Sequence, residues 1–350
     1  MEQLAFDAAL LSGPKQLDWG RFPAPSPAAG ALSVAVSLCG ICGSDIAAYR
    51  SGVGHQPAVF GHEWTGVVAA LGKGVVDYEV GDRVVVGVSA PCGTCVACVA
   101  GLTEQCRSAL AVASGRDQLA PPHGGFAPFI TVAAGRVLPL DAALSEVDAA
   151  LVEPASVAFH GIRRARIAPG DTVVIQGAGP IGLLALQFAR AAGAGTVIVV
   201  EPSPFRRDLA GVLAADVVLE PAGAADEIKA GTRSLGADVV VECSGVPALL
   251  QTAVELARPG GTVVLLSFAA APSTINSALW LAKEINVVAA VAYTREDIVR
   301  SMRFIASGRV DVRSLHTRTV KLADLPETFG ELADGSDDVK VLVDPRVTGS

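Results

Sequence analysis

The chain has 350 residues, of which 51% are apolar and 37 are glycine, with a formal net charge of −8. That length exceeds the roughly 250–300 residues at which one core stops growing, so two domains are expected, and the apolar content excludes a disordered chain. Acidity without a basic face argues against nucleic acid, and no apolar run approaches the roughly 18–20 residues of a membrane span, so neither partner is expected.

Residues 1–30 show no basic region followed by an apolar stretch, so no secretory signal is expected. The seven cysteines then belong to a reducing, cytoplasmic setting. Clustered cysteines there read as metal ligands before disulfides.

Along the first ~150 residues, short β-branched runs such as Ala31–Val36, Thr65–Ala70 and Arg83–Val88 alternate with Gly and Pro, the pattern of an irregular β barrel. The texture changes after Val152. Strands are predicted at Thr172–Gln176, Thr196–Glu201, Val217–Leu219, Asp238–Cys243 and Gly261–Phe268, with helices at Ile181–Ala192, Phe205–Leu213 and Ala248–Leu256. Strands alternating with helices imply a parallel, doubly wound sheet, because parallel strands need a crossover. Mixed character returns near Ala292, with a helix predicted at Ile298–Ser307 and a strand at Val339–Val343. The fold class is α/β: a β-rich domain from residues 1–152 and 292–350, and a doubly wound domain from 153–291.

The chemistry-bearing residues follow the same order. Cys42, in Cys39-Gly-Ile-Cys42-Gly-Ser44-Asp45, and His62, in Gly61-His62-Glu63, are dispersed, but glycines and carboxylates flank both. Glu153, in Leu151-Val152-Glu153-Pro154, is a carboxylate in an apolar run and needs a partner. Zinc held by Cys, His and Glu with one open position has the composition of a catalytic site. Cys92, Cys95 and Cys98, with Cys106 after seven intervening residues, form a four-thiolate set in a lobe at about 90–108. Such a closed set leaves no open position, so it reads as a loop staple. Gly177-Ala178-Gly179-Pro180-Ile181-Gly182 follows a strand and opens a helix, as a dinucleotide site requires. Its glycines serve a tight turn, close approach of the pyrophosphate and helix–strand packing, and the helix N-terminus offers free N–H groups. Glu201, 19 residues after Gly182, can accept from ribose hydroxyls and repel a 2′-phosphate, which favours NAD over NADP; Arg206 nearby can pair with a phosphate or stack on adenine.

Together with Gly81-Asp82-Arg83-Val84 and Glu153-Pro154-Ala155-Ser156-Val157, these motifs resemble the zinc-containing medium-chain dehydrogenase/reductase superfamily, in its sorbitol (polyol) and secondary-alcohol dehydrogenase branch. The resemblance covers nearly the whole chain. It implies a GroES-like catalytic domain, a Rossmann domain, an active site between them, two zinc ions per chain and NAD. Cys42 and His62 would be catalytic-zinc ligands, with Glu63 and Glu153 the carboxylates that bind directly or through water. Asp45 would orient His62, Ser44 would bond the substrate oxygen and begin the proton relay, and Lys340 would stand near the cofactor pyrophosphate. Cys39 matches a non-ligating position, and Cys243 a core residue of a Rossmann strand.

Two departures from the sorbitol-type pattern bear on substrate. Ala47 stands where many relatives carry a relay histidine, leaving His55 or water as the proton exit. Ala292-Tyr293 stands where an Arg-Tyr pair grips polyol hydroxyls. With Phe60 and Trp64 as apolar surface, these point to an apolar or cyclic secondary alcohol, interconverted with its ketone; the alternative is a polyol of the sorbitol or butanediol type. A zinc-free enone or quinone reductase would lack both metal segments, and a non-catalytic relative would show decay at Cys42, His62 or Ser44; neither is seen. A homodimer or homotetramer is the expected assembly.

Overall fold

The computed structural model describes residues 5–52, 58–87, 91–102, 105–108, 124–269 and 271–346. In chain order the strands are β1 (Phe6–Gly13), β2 (Gln16–Phe22), β3 (Ala31–Gly40), β4 (Ala58–Val59), β5 (Glu63–Leu71), β6 (Arg83–Val86), β7 (Phe129–Ala133) and β8 (Val137–Pro139). There follow β9 (Thr172–Gln176), β10 (Thr196–Val200), β11 (Val217–Leu219), β12 (Ala237–Glu242), β13 (Ala257–Leu265), β14 (Asn286–Ala289), β15 (His316–Lys321) and β16 (Lys340–Asp344). The chain forms two compact units.

The first unit takes Met1–Glu153, Thr294–Ile298 and His316–Ser350. Its larger sheet runs β15-β16-β3-β5-β6-β8, with β7 also paired to β3, and a smaller one runs β2-β1-β4. Pairing is antiparallel except between β15 and β16. Val34, Val36, Val68, Val84 and Val132 fill the interior, which explains the β-branched runs. Register shifts at Ser33/Val34 and Val36/Leu38 bring Gly40 opposite Glu63 at the strand ends. These irregularities re-aim side chains, a common role of bulges.

The second unit takes Pro154–Tyr293 and Val299–Leu315. Its six strands are all parallel, in the order β11-β10-β9-β12-β13-β14. One face packs Val174, Ile198, Val240 and Val263 on Ile228, Ala253 and Val254. The predicted strands and helices of this unit appear within a few residues of their expected bounds. Several helices had no sequence expectation, among them Gly43–Ser51, Val152–Ala165, Ala224–Gly231 and Leu325–Asp334.

One boundary differs. Everything after Ala292 was expected with the β-rich unit, whereas 299–315 groups with the parallel sheet. The physical reason is an aromatic triangle: Phe304 lies 5.6 Å from Phe188 and 5.7 Å from Phe159, with Phe159 and Phe188 5.2 Å apart. Gln187 adds two bonds to the Asp311 backbone, at 2.9 and 2.6 Å. Among the described residues no helix is long and apolar enough to cross a membrane.

Candidate metal centres and dinucleotide turn

Cys42 is the N-cap of the helix Gly43–Ser51, in extended backbone conformation. Asp45, in the first turn, accepts from the Cys42 N–H at 2.9 Å through Oδ2, and its Oδ1 lies 3.6 Å from His62 Nδ1. His62 follows Gly61, whose φ of +94° is left-handed and where a Cβ would sit 2.7 Å from Cys39 Sγ. A side chain at Gly61 is thus excluded twice over. Candidate ligand atoms of Cys42, His62 and Glu63 all lie within 4.8 Å of one another. Burial alone would push His62 down, but the negative charges of Asp45 and Cys42 outweigh it and hold its pKa well above the ordinary histidine value. A metal cation matches this surplus of donors and negative charge.

Lys340 does not stand where the family pattern suggested. Its ammonium is buried in the first unit, donating to Ile41 O at 3.0 Å and to Glu63 Oε1 and Oε2 at 2.9 and 2.6 Å. All three ammonium protons are thereby used, leaving none for a pyrophosphate. Burial disfavours the charge, but Glu63 and Cys42 more than restore it, and its pKa is raised. Glu63 therefore faces the metal cluster with both oxygens already on Lys340. Gly40 makes room for it, since a Cβ there would lie 2.1 Å from Glu63 Oε2. The sequence reading missed that dependence; the signal available was only that Gly40 precedes a metal-binding turn.

Glu153 is buried, and its charge acts on Lys340, but it is not one of the three residues whose ligand atoms cluster. Ser44 and Ala47 are exposed on the helix Gly43–Ser51. His55 lies outside the described residues. Trp64, expected to give apolar surface to a pocket, is instead fully buried in the first unit, with Arg136 5.9 Å above its ring. Strand alternation turns it inward when Glu63 faces the metal side. Cys39 is also buried, its thiol pushed up first by burial and then by Asp45 and Glu63.

The four-cysteine lobe is assembled as expected, with ligand atoms of Cys92, Cys95, Cys98 and Cys106 within 4.8 Å of one another. Cys95 Sγ to Cys98 Sγ is 3.5 Å and Cys92 Sγ to Cys98 Sγ is 4.0 Å. Four thiolates about 2.3 Å from one zinc would stand about 3.8 Å apart, whereas a disulfide would need about 2.05 Å. The spacing fits a metal, and all seven cysteines are free thiols. N–H groups of Thr94 and Cys95 hold the Cys92 thiol down at about 5, while burial and neighbouring thiols push Cys98 up to about 12.

In the second unit, Gly177 turns with φ +94°, and a Cβ there would lie 3.2 Å from Ser244 Cα. Gly182 packs against that turn, its missing Cβ 1.8 Å from Gly177 O. Gly179 caps the helix Pro180–Ala192 and faces open space, so a ligand can approach its backbone. Pro180 and Ile181 open that helix. Glu201 is buried just beyond β10: Oε2 accepts from Ala178 N at 2.7 Å and Oε1 from Ser203 N at 2.9 Å. It therefore braces the glycine turn from behind. Arg206 sits in the first turn of the helix Pro204–Val212, while the Arg207 guanidinium is bonded to Glu220 and to the Glu201 and Pro202 carbonyls.

Comparison with known proteins shows the family of both parts of the chain. Residues 28–142 match the family described as "Alcohol dehydrogenase GroES-like domain". Residues 180–307 match "Zinc-binding dehydrogenase". A sorbitol dehydrogenase of Bacillus subtilis (strain 168) is 32% identical over 348 residues, 97% of either chain. The crystal structure of 2R,3R-butanediol dehydrogenase from Bacillus subtilis matches with a TM-score of 0.85 at 30% identity, over 97% of this chain and 99% of that one. A putative zinc-binding dehydrogenase from Sinorhizobium meliloti 1021, bound to NADP, matches with a TM-score of 0.88 at 30% identity, over 98% and 100%.

Proposed function

Since the chain belongs to the zinc-containing medium-chain dehydrogenase/reductase superfamily, in its polyol branch, we propose that it oxidises a secondary alcohol to a ketone, or the reverse, with two zinc ions and NAD(H). The protein is a zinc-dependent alcohol dehydrogenase, with a GroES-like domain and a Rossmann domain. The observation that carries the proposal is the convergence of Cys42, His62 and Glu63 within 4.8 Å.

Cys42 and His62 would hold the catalytic ion, with Glu63 and Glu153 as exchangeable carboxylates, and the four-cysteine lobe would hold the second. Bound zinc would supply a Lewis acid for the carbinol oxygen, and the nicotinamide a hydride acceptor. Asp45 Oδ1 lies 3.6 Å from His62 Nδ1 and would orient the ring so that Nε2 could serve the metal. Lys340 donates to both Glu63 oxygens and so holds that carboxylate beside Cys42 and His62. Ser44 accepts the alcohol proton as the carbon–hydrogen bond breaks and passes it outward. With Ala47 exposed behind it, water or His55 completes the exit.

The dinucleotide would lie on the Gly177–Gly182 turn, its phosphates at the N-terminus of the helix Pro180–Ala192. NAD is favoured over NADP because the Glu201 carboxylate repels a 2′-phosphate, with Arg206 as an adenosine contact.

An apolar or cyclic alcohol is the substrate we favour, on Ala292 in place of an arginine and on Phe60. A polyol is the second reading, favoured by the sorbitol and butanediol dehydrogenases among the relatives. Free thiols at all seven cysteines support a cytoplasmic protein, and a homodimer or homotetramer is the assembly we expect. The test is metal analysis with an NAD⁺-coupled alcohol screen: two zinc per chain and alcohol-dependent NADH formation are expected. A zinc-free chain that turns over enones would overturn the reading.

A further inference from the structure

One buried carboxylate has no part in the chemistry above. Glu242 ends β12 with 2% of its surface exposed, and four donors converge on it. Its Oε1 accepts from Ser244 N at 2.7 Å, from Gly245 N at 3.2 Å and from the Ser244 hydroxyl; its Oε2 accepts from the Ser267 hydroxyl. Ser244 and Gly245 lie in the loop leaving β12, and Ser267 in the loop leaving β13. One side chain therefore ties two loops together. They touch elsewhere too: Gly245 has φ +71°, and a Cβ there would lie 2.9 Å from Phe268 O.

The position matters more than the bond count. β12 pairs with β9 on one side, Glu242 opposite Gln176, and Gln176 is the residue before the Gly177 turn. Cys243 N donates to Gln176 O at 3.0 Å, and Ser244 Cα lies 3.2 Å from where a Gly177 Cβ would be. The strand order β10-β9-β12 places the sheet's reversal between β9 and β12, where doubly wound sheets bind dinucleotides at the strands' carboxyl ends. Glu201, beyond β10, takes the adenosine side of that crevice. The other half of the dinucleotide must then cross β9 toward the loops that Glu242 holds.

We infer that Glu242 is a positioning residue for the nicotinamide-bearing half of the cofactor, acting through the Ser244–Gly245 and Ser267 loops. This rests on the dinucleotide reading above. Removing the carboxylate leaves two N–H groups and two hydroxyls without their acceptor, and the loops lose their common anchor. A glutamine can still accept from Ser244 N and Gly245 N while its amide donates to the Ser267 hydroxyl, so it should rescue.

The experiment measures NADH and AMP binding by calorimetry on the zinc-loaded chain, alongside kcat and KM for NAD⁺. E242A should raise the NADH Kd by about thirtyfold or more, S267A by about fivefold, and E242Q by less than about fivefold. AMP affinity, which reports only the Glu201 side, should stay within about twofold, and KM for NAD⁺ should rise while kcat at saturation holds. Should E242A fail to fold, S267A decides. Unchanged NADH binding in S267A and E242A, or equal weakening of AMP and NADH, would overturn the inference. A wild-type chain that binds neither ligand would instead sink the dinucleotide reading beneath it.

Discussion

Replacing Lys340 by Met tests how the metal centre is built. The Lys340 side chain is 2% exposed and so is that of its partner Glu63. The substitution keeps the aliphatic stem but leaves Glu63 buried without its cation, and Ile41 O without its donor. Breaking a buried pair from one side costs about 3–5 kcal/mol, because the surviving charge keeps its desolvation penalty. At about 2–4 °C per kcal/mol for a unit of this size, the melting temperature of the metal-free first unit should fall by about 6–20 °C. Removing both charges, as Lys340→Met with Glu63→Leu, should recover at least half of the loss, because an apolar pair carries no such penalty. With zinc restored, the single variant should suffer less, since the freed carboxylate can turn to the ion. The assay is calorimetric melting of chelator-treated and zinc-loaded protein for both single variants and the double. A shift under about 2 °C in Lys340→Met, or a double variant no better than the single, would refute the reasoning.

The remaining predictions are briefer. Cys42→Ala should lower kcat/KM by about a thousandfold or more with the fold kept, since metal polarisation contributes several kcal/mol; Cys95→Ala should instead lower thermal stability. Full activity in purified Cys42→Ala would refute the division between the two centres. Glu201→Ser should weaken NAD binding and relax discrimination against NADP by about tenfold, unless native kcat/KM already favours NADP. The raised His62 pKa has a sign: in the metal-free chain its stabilising contribution is complete below the unfolded value and is lost as pH rises through the folded one. Zinc affinity runs the other way because the ion must displace that proton, so a chelator should strip the catalytic ion faster at about pH 6 than at about pH 8. Among substrates, two or three buried methylenes contribute about 2 kcal/mol, so a cyclic monoterpene alcohol should exceed sorbitol by about thirtyfold in kcat/KM, with 2,3-butanediol as the intermediate case. Sorbitol as the best substrate would establish the polyol reading.

Much of this protein is local in sequence, and that part was legible. A parallel strand buried on both faces reads as a continuous apolar, β-branched run, as Val173–Ile175 and Val239–Val241 do, so the doubly wound unit was readable from the alternation of such runs with helical segments. The glycine turn and the four-cysteine lobe are likewise contained in single short segments whose spacing dictates their geometry. Cys42 and His62 were found because each carries its own glycines and carboxylate within three residues. Tertiary structure decided whatever depends on partners distant in sequence. Lys340 meets Glu63 across 277 residues of chain. Trp64 faces inward only because β5 is held between β3 and β6. The 299–315 segment joins the parallel sheet because Phe304 finds Phe159 and Phe188. Glu242 is only a carboxylate after an apolar run until Ser267, 25 residues on, closes over it. Backbone preference and side-chain periodicity act over a few residues, so a sequence shows them directly. A buried charge takes its role from whichever group shares its desolvated space, and only the folded chain determines which group that is.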